Sequence, residues 1–268
     1  METVKISGSD LAGCRSPLEF YQRKFLHKPV EKYYFDIGTA AHAYILQQDK
    51  FNEDVICVGG WPEPDKINKD GTYSKLGKNG KYLEEQKELN PDKIVFEPVV
   101  YNNVISYAEG IKLIPGFSNF INLQTGIAEQ DYETIDPETG LTLRGRQDYI
   151  KPGKFIADLK FCNSISDFEL AKAFRDFEYH LRAAFYLDLY NACTGEDLNT
   201  FIYICVEKSE NPTARFLKMS ELDLNAGREI YKNKLKVIAE CFKTGEWILS
   251  SIENFQLPEW VYKSNQNW

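Results

Sequence analysis

Positive charge is scarce in this chain: 32 Lys and Arg stand against 40 Asp and Glu, a net charge of −8 over 268 residues. That excludes a generally basic coat for wrapping nucleic acid. It does not exclude a groove lined by a few cations, because the local field governs binding. Cysteine occurs 6 times, at positions 14, 57, 162, 193, 205 and 241, and never as Cys-x-x-Cys. These spacings suit neither zinc nor an iron–sulfur cluster and read as free thiols in a reducing cytoplasm. No apolar run reaches the length of a membrane span, and the opening METVKISGSDLAG lacks the apolar run of a signal peptide. Repeats and low-complexity segments are missing too. Histidine occurs only 3 times.

What is present supports a sizeable core. Hydrophobic residues make up 43% of the chain and aromatics 14%. The length fits one large domain, or a domain with an embellishment.

The N-terminal stretch SGSDLAGCRSPLEFYQRKF reads as a short helix and then a helix started after Ser16-Pro17. FDIGTAAHAYILQQDKF places Gly38, His42 and Leu46 on one helix face, with small residues that let it pack closely. Residues 57–80 are turn-rich and basic and read as a mobile loop insertion. KYLEEQKELN and YNNVISYAEGIKLIP look helical. GIAEQDYETI is a strand, and DPETG is a turn. Ser166 with Glu169 forms a capping box that opens a helix. YHLRAAFYLDLYNACTG is a second helix ending at Gly195, whose stripe Tyr179, Phe185, Tyr186 and Tyr190 reads as core. NTFIYICVEK is an apolar strand, RFLKM reads as another, and ELDLNAGREIYKNKLKVIAECFKTG is a long amphipathic helix.

The segment Gly145–Ser164, GRQDYIKPGKFIADLKFCNS, carries the chemistry. It reads as a hairpin around Pro152-Gly153-Lys154, with Gly153 at the left-handed position. Side chains alternate along a strand. Arg144, Arg146 and Asp148 therefore share one face, and Asp158 shares a face with Lys160. Pairing 148 with 158 brings both carboxylates and the lysine together. Two adjacent carboxylates repel unless a cation sits between them, and Mg²⁺ or Mn²⁺ suits oxygen ligands. An Asp-x-Lys on a solvated strand face is also common without any such role.

The order helix, three strands, helix, strand, C-terminal helix, with DIGTAAHAYIL, DPETGLTLRGRQDYI, FIADLKFCNS and YHLRAAFYLDLY, resembles the RecE-like exonucleases (exonuclease VIII) of the PD-(D/E)xK nuclease superfamily. ISGSDL and LPEW are weaker matches. The resemblance threads through nearly the whole chain, 1–268, as one nuclease domain with a C-terminal helical extension over 221–268. It implies an α/β (α+β) fold with a restriction-endonuclease-like αβββαβ core, a mixed central sheet flanked by helices.

The resemblance also implies an activity: Mg²⁺-dependent 5′-to-3′ degradation of one strand of linear duplex DNA, leaving 3′ tails. Mn²⁺ would substitute. Implied partners are duplex DNA ends, a RecT-type annealing protein and, as a ring-shaped homo-tetramer, further copies of the chain; no membrane is implied. His42, Asp148, Asp158 and the backbone carbonyl of Leu159 match the metal ligands, Lys160 the motif lysine and Glu129 an additional acidic position in catalysis. Arg144 and Arg146 match a basic pair for DNA, and Arg23 and Lys24 are candidates for the 5′ phosphate. Two positions depart from the family pattern: Arg182 stands where Gln is usual, and Gln147 precedes Asp148 in place of Pro. An Arg there can hold a phosphate. The alternatives are another nuclease of the superfamily, RecB-type or an endonuclease, and a non-catalytic DNA-binding protein that retains the fold.

Overall fold

The computed structural model describes residues 4–26, 33–59, 66–209 and 211–247, with residues 33–36 by backbone alone. β1 (Lys5–Ile6) leads into α1 (Gly8–Leu11) and α2 (Pro17–Tyr21). The side chains of Ser7 and Ser16 accept the first free amides of these helices, which a helix start otherwise leaves unpaired. A π-helical turn, Gln22–Leu26, extends the second. Then come α3 (Tyr33–Leu46), α4 (Gln48–Asp54), β2 (Val55–Cys57), α5 (Lys78–Leu89), β3 (Ile94–Phe96), α6 (Pro98–Lys112) and α7 (Phe117–Phe120). The second half holds β4 (Ile127–Ile135), β5 (Thr142–Lys151), β6 (Phe155–Cys162), α8 (Asp167–Asp176), α9 (Tyr179–Thr194), β7 (Phe201–Glu207), β8 (Ala214–Lys218) and α10 (Glu221–Thr244).

Six strands form one mixed sheet. β4, β5 and β6 are an antiparallel meander, β7 joins β6 in parallel across α8 and α9, and β8 closes the edge antiparallel to β7. A helical crossover between parallel strands covers the sheet and so demands apolar residues on both faces. The run FIYICV meets that demand. Phe201, Tyr203 and Cys205 enter the core beneath α9 and α10, while Ile202, Ile204 and Val206 enter the opposite core beneath α3 and α6. The fold is thus the mixed sheet flanked by helices that the strand pattern implies.

α9 keeps Leu181, Phe185, Tyr186 and Tyr190 buried, and α10 crosses it at Gly227. A Cβ there would stand 2.2 Å from the carbonyl oxygen of His180, so the two backbones touch and only glycine fits.

The expected loop over 57–80 is shorter than its residues suggest. Cys57 closes β2, and Lys78 opens α5. In the described part, 66–77, Ile67 bridges to Tyr73, and the buried Glu97 accepts the Tyr73 amide. This stretch is therefore anchored. Its turn-rich composition hides that anchoring because the partner comes from 24 residues further on. Of the expected C-terminal extension over 221–268, α10 fills 221–244, and LPEW lies outside the described residues.

Candidate active site

β5 and β6 pair only at Lys151↔Phe155, Ile150↔Ile156 and Tyr149↔Ala157. The turn between them holds Gly153 at φ 67°. Beyond Tyr149 the strands part. β5 continues beside β4, and β6 continues beside β7. Asp148 stands at the mouth of this fork, where its Oδ2 accepts the Leu159 N–H at 2.8 Å. The side chain thus satisfies an amide that the interrupted ladder leaves free.

Two charged groups enter the fork from elsewhere. His42, on α3, lies with Nε2 2.9 Å from Asp148 Oδ2 and Nδ1 2.9 Å from Glu129 Oε1. Glu129 belongs to β4 and carries a left-handed backbone at φ 52°, a conformation costly for any residue with a Cβ. Deeper in the fork, Lys160 contacts the Asp158 carboxylate, which is only 4% exposed. Its ammonium also lies 5.9 Å from the centre of the Tyr179 ring.

The electrostatics divide the two aspartates. Burial raises the Asp148 carboxyl, but His42, then Lys160 and the Leu159 amide, outweigh it and bring its pKa down to about 2. Burial and then the Asp148 charge push the Asp158 carboxyl up, against the pull of Lys160 and Arg182. Burial disfavours charge on His42 as well, yet Asp148 and Glu129 prevail and its pKa is pushed up to about 10. The imidazolium is the cation that the paired carboxylates require.

A divalent ion can take that place. One nitrogen of His42 and one oxygen each of Glu129 and Asp148 lie within 4.8 Å of one another, and imidazole with two carboxylates suits Mn²⁺ or Mg²⁺. Asp158, expected among the ligands, lies outside this trio and faces Lys160. Of Leu159, whose carbonyl was the expected ligand, the contact visible in the fork is its N–H on Asp148.

The expected DNA-binding residues are dispersed. Arg144 and Arg146 are exposed on β5, and Arg146 already grips Asp131 through two hydrogen bonds of 3.0 and 2.6 Å. Lys24 pairs with Asp10 at 2.8 Å. Arg23 pairs with Glu19 at 2.6 Å but also lines a hollow of about 380 Å³ with Arg15 and Arg182. Arg182 bonds Tyr186 and feels the Asp158 charge; together they outweigh burial and raise its pKa. Its Nε is buried with no partner among the described residues. Arg15 had no signal in the sequence. It joins the hollow only because α2 folds back against the start of α9.

The chain matches the family model described as a PDDEXK-like domain of unknown function (DUF3799) over residues 22–253. It belongs to that family, and the fork is where such a domain keeps its acidic and lysine residues. The crystal structure of a "putative exonuclease" from Eubacterium rectale is similar in fold, with a TM-score of 0.62 and 13% identity over 98% of this chain and 94% of that one. The structure of SSO0001 aligns far less well, at a TM-score of 0.32 and 16% identity over 67% of this chain and 81% of that one. No curated protein matches. Among the described residues no helix is long and apolar enough to cross a membrane.

Proposed function

We propose that this protein is a divalent-metal-dependent deoxyribonuclease that degrades one strand of linear duplex DNA in the 5′-to-3′ direction. The single observation that carries this reading is the fork. A His-Glu-Asp trio fit for one ion stands beside a buried aspartate and lysine at the spacing Asp158-x-Lys160. Membership of a PDDEXK-like family supports it. So does the fold shared with a "putative exonuclease".

His42, Glu129 and Asp148 would hold the ion, with Asp158 drawn in once Lys160 lets go. Mg²⁺ is the proposed species, with Mn²⁺ able to replace it. When bound, the ion supplies an acidified water and charge neutralisation at the phosphate. Lys160 orients the attacking water and offsets charge developing on the non-bridging oxygens. Burial lowers its affinity for a proton, but Asp158 and then Asp148 more than restore it, so the ammonium stays charged. Arg182 and Arg23, with Arg15, hold the terminal 5′ phosphate in their hollow; guanidinium groups suit phosphate geometry. Arg144 and Arg146 touch the backbone of the duplex. The 3′ tails would serve a RecT-type annealing protein, and a ring of four copies would keep the enzyme on its DNA. The thiols suit the cytoplasm.

The test is digestion with Mg²⁺ of linear duplexes labelled at either end, beside covalently closed circles. The 5′ label should be released first and circles should survive. Rapid cutting of circles would replace the exonuclease reading with an endonuclease. No hydrolysis with Mg²⁺ or Mn²⁺ would leave a binding protein.

A further inference from the structure

Cys162 and Cys205 occupy neighbouring parallel strands, one pair apart in register: Lys160 is opposite Cys205, and Cys162 is opposite Glu207. Residues two apart on a strand share a face, so Lys160, Cys162 and Cys205 point to the same side of the sheet. Cys205 is fully buried, while Cys162 is partly exposed. The Cys205 thiol donates a hydrogen bond to the Cys162 sulfur. The Cys162 sulfur also lies 3.9 Å from the Lys160 carbonyl oxygen.

This contact makes the two sulfurs unequal. The hydrogen bond from Cys205, opposed by burial and helped by the Lys160 and Lys208 charges, brings the Cys162 pKa down to about 7. The same bond, with burial, pushes Cys205 up. The other four thiols are all raised, chiefly by burial, including the exposed Cys57 and Cys193. The thiolate is the nucleophilic form. Reactivity and exposure therefore run in opposite orders, with a protonated second thiol held against the more reactive one.

We propose that Cys162 is a site of modification by hydroperoxides, and that Cys205 resolves the product into a disulfide across β6 and β7. The Cys162 thiolate attacks one oxygen of hydrogen peroxide, the O–O bond breaks, and sulfenic acid forms as hydroxide leaves. The Cys205 sulfur then attacks the Cys162 sulfur, the S–O bond breaks, and the departing hydroxide takes the thiol proton as water. Two thiols are oxidised and one peroxide is reduced to two waters. The change falls two residues from Lys160, yet the inference does not depend on the nuclease reading.

The experiment treats reduced full-length protein with a small excess of hydrogen peroxide at neutral pH, blocks the remaining thiols with N-ethylmaleimide and maps the peptides by mass spectrometry. A Cys162–Cys205 cross-link, reversed by dithiothreitol, should appear before oxidation at Cys57 or Cys193. In Cys205→Ala the reaction should stop at a sulfenic acid on Cys162 that dimedone captures. Should that variant not fold, competitive labelling of the wild type with iodoacetamide gives the answer, because Cys162 should react before Cys57 and Cys193. Earlier reaction at either exposed cysteine, or oxidised Cys162 with no cross-link to Cys205, would overturn the proposal.

Discussion

Glu129 stands directly across the β4–β5 ladder from Asp148, flanked by the pairs Ala128↔Tyr149 and Gln130↔Gln147, and it does so with a left-handed backbone. The register is unbroken on both sides, so no extra residue causes the twist. The twist aims a side chain at His42 that a regular strand would not.

That backbone sets up a comparison of two substitutions that remove the same carboxylate. An L residue in this conformation costs about 1–2 kcal/mol that glycine escapes. Glu129→Gly should therefore be more stable than Glu129→Ala by about 1 kcal/mol in urea melts, with both low in activity. If the alanine variant is as stable as the glycine variant, the strand is regular at this position.

The two aspartates should respond oppositely to loss of charge. Asp148 has its folded pKa depressed to about 2 from 3.8, so it stabilises the fold above its unfolded pKa, and that contribution is lost as pH falls through about 2. Asp148→Asn should cost about 2 kcal/mol near neutral pH with chelator present. Asp158 is shifted upward, so its charge opposes folding at neutral pH. Asp158→Asn should melt no lower than wild type. Nuclease activity should vanish in both. Equal destabilisation in thermal melts would mean that Lys160 makes the Asp158 charge a net gain.

His42 predicts a pH dependence of the metal-free protein. A folded pKa pushed up to about 10 from 6.5 stabilises fully below 6.5, and the gain is lost as pH climbs through about 10. Chemical melts in chelator should show this decline, and His42→Gln should flatten it. Added Mg²⁺ competes with the imidazole proton, so its stabilising shift should grow across the same interval. A shift independent of pH would remove His42 from the ligands.

Lys160→Ala should keep its affinity for DNA while hydrolysis falls on the order of 10³-fold, roughly 4 kcal/mol of transition-state stabilisation. Single-turnover digestion beside a filter-binding titration separates the two effects. Turnover near that of wild type would leave Lys160 as a partner for Asp158 and nothing more.

The hairpin was legible because period-two alternation and a Pro-Gly turn fix a register by arithmetic. Pairing 148 with 158 is the continuation of Lys151↔Phe155. The caps at Ser16 and Ser166 and the stop at Gly195 were legible for the same local reason. What escaped was short or distant. β1, β2 and β3 have two or three residues each, too few to show a period. The left-handed Glu129 sits inside an ordinary strand pattern. The clamp at Glu178, which binds the Gly13 amide at 2.6 Å and Lys234 at 2.7 Å, joins three remote parts of the chain.

The edge of β5 that parts from β6 is taken up again by β1, at Lys5↔Thr142 and Ile6↔Leu143. The hairpin on that edge closes over a three-residue turn, whereas the β1 contact must draw in the far N-terminus. Loop closure costs more as chain length grows, and non-local pairings slow folding. The strands bearing Asp148 and Asp158 should thus assemble early in folding. Their completed edge arrives late, so in refolding experiments amide protection at Thr142 and Leu143 should lag behind that at Tyr149 and Ile150.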